Sequence, residues 1–219
     1  MSLKKRTRLL RLALSVPALA LFAACSVTPT RYYTLAEGTP PAMSQRATAD
    51  GAPLAIEMAP VSLPERFARP QLVVRRTSVL QLREAPPTEV EVLEQSRWSS
   101  SFEYELRDAL ASGVAGRLSA FDATKSGRPR GIPVYRVAVQ MLEFDALPGT
   151  KVDTAFGWSI RRGDSDTLVT CQLRLSEAVS GGIDGVALGA QRITGRLSDE
   201  IARNVSALAA NQPARCPAA

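Results

Sequence analysis

The sequence contains no histidine among its 219 residues. Ser-His-Asp and Cys-His catalysis both require an imidazole base, so these mechanisms are excluded, together with metal sites ligated by histidine. Three cysteines are too few for a four-cysteine zinc site. The chain also has no Gly-x-x-x-x-Gly-Lys-Ser/Thr segment, which excludes a nucleotide-binding subunit of the P-loop type. These absences predict a protein that is not an enzyme and that needs no cofactor or metal.

An excess of basic residues, which would favour an acidic partner, is confined to the start of the chain. The formal net charge is +6, from 27 basic and 21 acidic residues. The first 24 residues contribute five of these charges and no acid, through Lys4, Lys5, Arg6, Arg8 and Arg11. The remainder is close to neutral, and it lacks the clustered excess that nucleic-acid binding requires, so we expect no nucleic-acid partner.

Residues 1–24 have the organisation of an export signal. The basic stretch is followed by an apolar stretch, Leu12 to Ala24, which is shorter than the roughly 20 residues of a membrane-spanning helix. Leu21-Phe22-Ala23-Ala24-Cys25 then resembles a bacterial lipobox, although Phe22 occupies the position where leucine is usual. This predicts cleavage before Cys25, a diacylglyceryl group on its thiol and acylation of its new amine. The alternative is an ordinary signal peptide cleaved after Ala18-Leu19-Ala20.

The residue after the predicted lipidation site indicates the destination of the protein. By the usual sorting rule for such lipoproteins, aspartate at this position retains the protein at the inner membrane, whereas Ser26 stands here. We therefore expect an anchor in the periplasmic leaflet of the outer membrane, with residues 25–30 as a short tether.

Cys171 and Cys216 remain once Cys25 carries lipid. Two cysteines of an exported chain usually pair in an oxidising compartment, so we expect a disulfide between a strand and the C-terminal tail. The alternative is two free thiols.

Alternation of apolar and polar residues predicts strands along much of the chain. A loop rich in proline, alanine and glycine is expected at 36–53, and a turn or short helix is expected between Pro64 and Pro70. Arg162-Gly163-Asp164-Ser165 predicts a hairpin between the last two strands. The predicted strands cover residues 31–35, 54–58, 71–75, 79–83, 89–95, 135–141, 152–160 and 169–175.

Two amphipathic helices are predicted from apolar residues that recur every three or four positions. The first stripe begins at Trp98 and extends to Leu118, widened by Phe121, and Ser100 with Glu103 fits a capping box. The second stripe runs from Val186 to Leu208. Trp98 is expected in the core. Strands and helices in this order predict an α/β or α+β domain, with helices on one or both faces of a mixed sheet.

The order of motifs resembles the ABC-type transport auxiliary lipoprotein family, of the PqiC/YmbA type. The residues that carry the resemblance are Arg31-Tyr32-Tyr33-Thr34-Leu35, the segment from Val61 to Leu72 with Leu63-Pro64 and Arg69-Pro70-Gln71-Leu72, and Arg97-Trp98. Ser99-Ser100-Ser101 follows where the family often has Ala-Glu-Pro. The resemblance implies an α/β fold, a single three-layer domain over residues 31–219 with a mixed sheet and amphipathic helices packed on it.

The resemblance also implies a function and a partner. It implies a docking subunit of an MCE-type transport system, which moves phospholipid or other hydrophobic cargo between the inner and outer membranes. The partners would be an MCE-domain protein and its inner-membrane complex, and both monomer and homo-oligomer stay open. The alternative is an outer-membrane assembly or pilotin-type lipoprotein unrelated to lipid transport.

Five motif residues are candidates for partner contact: Leu63, Pro64, Arg69, Pro70 and Arg97. The alternative role of Leu63-Pro64 and Arg69-Pro70 is turn chemistry, because proline fixes φ and excludes helix at the preceding residue. The alternative role of Arg97 is to cap a corner between a strand and a helix. The adjacent carboxylates Asp199 and Glu200 are expected to face water on the second helix, and Asp164 with Asp166 is expected at a hairpin tip. We therefore predict no catalytic carboxylate pair.

Overall fold

The computed structural model describes residues 29–37, 53–76, 88–165 and 167–217. The predictions for the signal segment with Cys25, for a strand at 79–83 and for most of the loop at 36–53 lie outside these residues. In chain order the elements are β1 (Arg31–Tyr33), β2 (Ala55–Met58), a 3₁₀ turn (Glu65–Phe67), β3 (Gln71–Arg75), β4 (Val90–Trp98), α1 (Phe102–Leu118), β5 (Phe121–Asp122), β6 (Val134–Leu147), β7 (Lys151–Arg162), β8 (Leu168–Ala178) and α2 (Gly182–Ala209).

The larger sheet is built around the three long strands that the sequence predicts. Its order is β5-β2-β6-β7-β8, with β6, β7 and β8 antiparallel and with β2 parallel to both β5 and β6. Alternation along these strands buries one face, which includes Tyr135, Val137, Trp158, Cys171 and Leu173. The expected hairpin follows β7, and Gly163 donates its backbone N–H to the carbonyl of Val134.

Both helices pack on the buried face of this sheet. α1 contacts α2 and β2, and α2 contacts β7 and β8. The α/β class is therefore confirmed, but the strands form two mixed sheets rather than one. The opposite face of β6 and β8 carries polar side chains at alternate positions, and these are exposed. They include Arg136, Gln140, Gln172 and Arg174. In the described part of the chain the helices thus cover one face of the larger sheet, not both.

The smaller sheet has the order β1-β4-β3, with β1 parallel and β3 antiparallel to β4. Trp98, which we placed on the helical stripe, is instead the last residue of β4. It pairs with Tyr33 of β1 and donates its backbone N–H to the carbonyl of Pro70 at 2.7 Å. Its side chain is 3% exposed, so its predicted core position is confirmed.

The ends of α1 differ from the prediction. Ser101 is the N-cap and makes no side-chain capping bond, so the capping box predicted from Ser100 and Glu103 is wrong. Ser100 Oγ instead donates to the carboxylate of Glu105. The helix ends at Ser119, whose φ of 50° is left-handed, and Phe121 therefore lies in β5, where its side chain is exposed rather than part of the helical stripe.

α2 begins four residues before the predicted apolar stripe. Gly181 and Gly182 turn the chain from β8 into the helix, and both have a positive φ. Residues with a Cβ rarely adopt this backbone conformation. Position 185, inside the helix, requires glycine, because a Cβ there would overlap the carbonyl oxygen of Ser180. The helix ends at Ala209, close to the predicted end, and Asn211, which has a positive φ, lies just beyond it.

Candidate functional site

The motif between Val61 and Leu72 forms a turn around one buried aromatic residue. Phe67 is 5% exposed, and its backbone N–H donates to the carbonyl of Pro64 at 2.9 Å to form the predicted short helix. The Phe67 ring packs edge-on against Phe102 of α1 and Phe144 of β6, with ring centroids 6.4 and 5.5 Å away. The turn is thereby fixed to both neighbouring layers by apolar packing.

The structure brings the distant parts of the motif together. The carbonyl of Arg69 accepts the backbone N–H of Phe102 at 3.5 Å, next to the bond between Pro70 and Trp98. The Trp98 ring stacks on Phe102 with a centroid separation of 5.1 Å. The motif residues therefore meet at the junction of the smaller sheet with α1, where the backbone bonds support their turn-forming role.

Arg97 lies on the outer side of this junction and already has partners within the chain. Its guanidinium donates to the carbonyl of Glu94 at 2.8 Å and to the Glu94 carboxylate at 3.2 Å. Gln71, its neighbour on β3, also donates to Glu94. Leu63, Pro64 and Pro70 are half-buried, whereas Arg69 is exposed. Partner contact by these five residues stays a prediction.

The segment that follows the predicted tether, residues 31–37, crosses the surface formed by the two helices. Arg31 Nη2 lies 2.6 Å from Asp184 Oδ1, and Tyr33 Oη donates to the same oxygen at 2.7 Å. The hydrogen bond from Arg31, and then that from Tyr33, hold the pKa of Asp184 below its usual range. Burial, reinforced by Asp184, raises the pKa of Tyr33. This cluster fixes β1 to the first turn of α2.

Glu105 is a buried carboxylate that binds the middle of the same segment. Its side chain accepts hydrogen bonds from the backbone N–H of Leu35 at 3.0 Å, from Ser99 Oγ at 2.6 Å and from Thr34 Oγ1. The residue is 8% exposed. A sequence signal existed for it, since Glu105 is a charged residue between Phe102 and Ala109 on the apolar stripe, but the prediction missed it.

Arg117 fixes the C-terminal end of this segment to the helices. The guanidinium pairs with Glu37 at 3.1 Å and with Asp199, and it also donates to the carbonyls of Gly113 at 3.0 Å and Gly195 at 3.1 Å. Burial acts to lower its pKa, but the hydrogen bonds to the two carboxylates outweigh this effect and raise it. Residues 31–37 are therefore attached to both helices along their length.

The carboxylates that we considered as a catalytic pair have structural partners. Asp199 binds Arg117, and Glu200 binds Arg203 in the next turn of α2. The Asp199 side chain is 48% exposed and faces water as expected, whereas the Glu200 side chain is 20% exposed. Asp164 pairs with Arg162 at 2.6 Å at the hairpin tip, and Asp166 lies outside the described residues.

The C-terminal tail is joined to β8 by a disulfide between Cys171 and Cys216, whose Cα atoms are 5.3 Å apart. The buried side chain of Asn204 lies beside it. Its Oδ1 accepts a hydrogen bond from Trp158 Nε1 at 3.0 Å, and its Nδ2 donates to the carbonyl of Arg215 at 2.9 Å. The tail thus completes the hydrogen bonding of a polar group in the core, as burial requires.

Within the described residues, no helix combines the length and the apolar character needed to cross a membrane.

One solved structure is similar to this chain at the level of the fold, and two others superpose less well. A structure described as an uncharacterized protein superposes with a TM-score of 0.58 at 15% identity, covering 81% of this chain and 99% of that one. A Xanthomonas campestris protein assigned to family DUF330 gives 0.49 at 12% identity, with 85% and 89% coverage. A putative lipoprotein from Caulobacter crescentus CB15 gives 0.35 at 13% identity, with 50% and 84% coverage.

No curated protein matches the chain. The profile of one protein family, described as an ABC-type transport auxiliary lipoprotein component, matches residues 33–202. This match spans most of the chain, from the last residue of β1 to a point within α2, and it includes the motif residues that suggested the resemblance except Arg31 and Tyr32. The chain therefore belongs to the ABC-type transport auxiliary lipoprotein family.

Proposed function

We propose that this protein is a periplasmic lipoprotein, anchored in the outer membrane through Cys25, that acts as the docking subunit of an MCE-type ABC transport system. The system would move phospholipid or other hydrophobic cargo between the inner and outer membranes. The family match over residues 33–202 is the observation that carries this proposal. The signal segment that precedes Cys25 supports the anchor.

The anchor would hold the folded domain close to the bilayer. Arg31 is the sixth residue after Cys25, and an extended chain of six residue steps reaches about 20 Å. Stable anchoring needs more than one acyl chain, which a triacylated cysteine supplies. A force on the anchor would act on the domain through residues 31–37. The contacts of these residues with Asp184, Glu105 and Arg117 would spread that force over both helices.

The aromatic part of the core leaves no room for lipid. An enclosed apolar cavity lies at the junction of the smaller sheet, α1 and β6, with Phe67, Trp98, Phe102 and Phe144 among its lining residues. Its volume is about 10 Å³. Pockets that enclose small organic ligands usually measure about 300–1,000 Å³. This cavity would not admit an acyl chain. Two larger hollows, of about 580 and 640 Å³, lie beside the C-terminal part of α2 and are open to solvent. The connecting role therefore rests on the family match.

Affinity purification of the native chain from detergent-solubilised envelopes tests the proposal. We expect recovery of an MCE-domain protein together with its inner-membrane permease and ATPase. Recovery of outer-membrane assembly machinery without any MCE-domain protein would contradict the proposal and would favour the assembly or pilotin-type alternative.

A further inference from the structure

The open face of the larger sheet carries two arginines that lie directly opposite each other. Arg136 of β6 and Arg161 of β7 are cross-strand partners, and both side chains are exposed. Like charges in this arrangement destabilise a sheet. Arg161 forms no ion pair with any residue that the structure describes, and Arg136 reaches only Glu57, at 3.9 Å. The fold therefore tolerates an unfavourable pair at this position.

The surroundings of the pair remain positively charged. Glu57 is the acid in contact with it, but this carboxylate is already bound by Arg128, whose hydrogen bond is the main cause that holds its pKa below the usual range. Arg136, Arg161, Arg128 and Glu57, which we call the arginine cluster, together carry a net charge of +2. Another arginine of the same face, Arg174, is neutralised, because it pairs with Glu143 at 2.7 Å.

The cluster lies far from the point at which the anchor enters the domain. Arg31 contacts the start of α2, and Val179, just before that helix, bonds to Thr150 in the turn between β6 and β7. Arg161 lies at the opposite end of β7, ten residues from Lys151, which is about 34 Å along the strand. A bilayer held near Arg31 would meet the other end of the hairpin first, so the cluster is placed for a periplasmic protein rather than for lipid headgroups.

The sheet surface next to the cluster would allow a close approach. Ala138 and Gln140 of β6 lie opposite Ser159 and Gly157 of β7, so this part of the face is uncharged and has short side chains at three of its four positions. A partner surface could therefore reach the arginines without displacing large side chains.

We infer that the arginine cluster on the open face of β6 and β7 is a docking surface for an acidic region of the periplasmic partner protein. Partner carboxylates would pair with Arg161, which has no ion pair among the described residues, and with Arg136, whose contact with Glu57 is long, and they would offset the repulsion between the two arginines. This inference rests on the proposed function for the identity of the partner, whereas the charge arrangement itself is a property of the fold.

The test measures binding of the purified mature chain, in detergent, to the purified MCE-domain protein from the same organism at low and high salt. We expect the double variant Arg136→Gln/Arg161→Gln to bind about tenfold more weakly at low salt and to show a smaller dependence on salt. Arg174→Gln is the matched control for Arg161→Gln, because it removes the same charge from the same face, and we expect it to change binding less than twofold.

Thermal denaturation separates a loss of contact from a loss of folding. Relief of the repulsion should leave Tm of Arg161→Gln unchanged or raise it by about 1–3 °C, even though the partner binds more weakly. Lower Tm with weaker binding would indicate a structural role and would overturn the inference.

Four further outcomes are decisive. Equal binding of the partner by the native chain and the double variant would place the docking surface elsewhere. Weaker binding by Arg69→Gln as the only variant with an effect would do the same. Either result would overturn the inference without affecting the proposed function. Failure of the native chain itself to bind would count against the proposed function. Binding of vesicles that contain anionic phospholipid through Arg136 and Arg161 would assign the cluster to lipid and overturn the inference.

Discussion

The backbone N–H of Leu35 donates a 3.0 Å hydrogen bond to the buried carboxylate of Glu105. Through this bond the N-terminal segment, which leads from the predicted anchor, is fixed to the first turns of α1. Leu35 itself is 1% exposed, so apolar packing and the hydrogen bond act at the same place.

We expect Glu105→Ala to lower the free energy of unfolding by about 2–4 kcal/mol. The substitution leaves the buried N–H of Leu35 without its acceptor and also removes the partners of Thr34 and Ser99. Urea denaturation of the mature domain measures the effect. Glu103→Ala is the control, because this neighbouring acid makes none of these bonds, and a similar loss in both variants would contradict the role assigned to Glu105.

Asp184 and Tyr33 should give stability a dependence on pH at both extremes. The depressed pKa of Asp184 adds stability that is present above about pH 4 and is lost as the pH falls further and the carboxylate is protonated. The raised pKa of Tyr33 adds stability that is complete below about pH 10 and is lost as the phenol ionises at higher pH.

Thermal denaturation as a function of pH tests both groups. Asp184→Asn should reduce the fall in Tm between pH 5 and pH 2.5, and Tyr33→Phe should reduce the fall above pH 10. The effects will be small, because Asp184 is exposed to solvent and its ion pair is screened. Unchanged profiles in both variants would show that other groups set the pH dependence.

The bond between Cys171 and Cys216 should contribute strongly to stability. It closes a loop with a sequence separation of 45 residues, for which the chain-entropy model gives about 4 kcal/mol. Replacement of Cys216 by serine should lower the free energy of unfolding by up to this amount, and it should also loosen the tail that binds Asn204. An intact mass of the exported protein that corresponds to two free thiols would contradict the pairing.

The local pattern of the chain was enough to predict the long strands and the positions of both helices. Val137, Trp158 and Leu173 alternate with polar residues, and this period of two fixes which face is buried. The prediction failed at Trp98, where a helical stripe and a strand share the same residue. The competing interaction was a parallel pairing with Tyr33, which lies 65 residues earlier and cannot be inferred from local periodicity.

The charged clusters were predictable only in part. Glu105 could have been recognised as an acid on an apolar stripe, whereas the contacts of Arg117 with Glu37 depend on how residues 31–37 cross the helices. The repulsive pair of Arg136 and Arg161 depends on the register between β6 and β7, and a shift of one residue would have moved every side chain to the other face. Register across a sheet was the information that the sequence pattern lacked.

The predicted lipid anchor can be tested separately from the partner by replacing Cys25 with alanine. The variant should be released as a soluble periplasmic form, because no acyl chain then holds it at the membrane. Continued sedimentation of the Cys25→Ala protein with membranes would show that another part of the chain holds it there.

Mass spectrometry of the mature N-terminal peptide, taken from inner and outer membranes separated on a density gradient, tests the central claim most directly. The account predicts a triacylated peptide that begins at Cys25 and is recovered from the outer membrane. An unmodified N-terminus at another residue, or recovery of the lipidated peptide from the inner membrane alone, would contradict it.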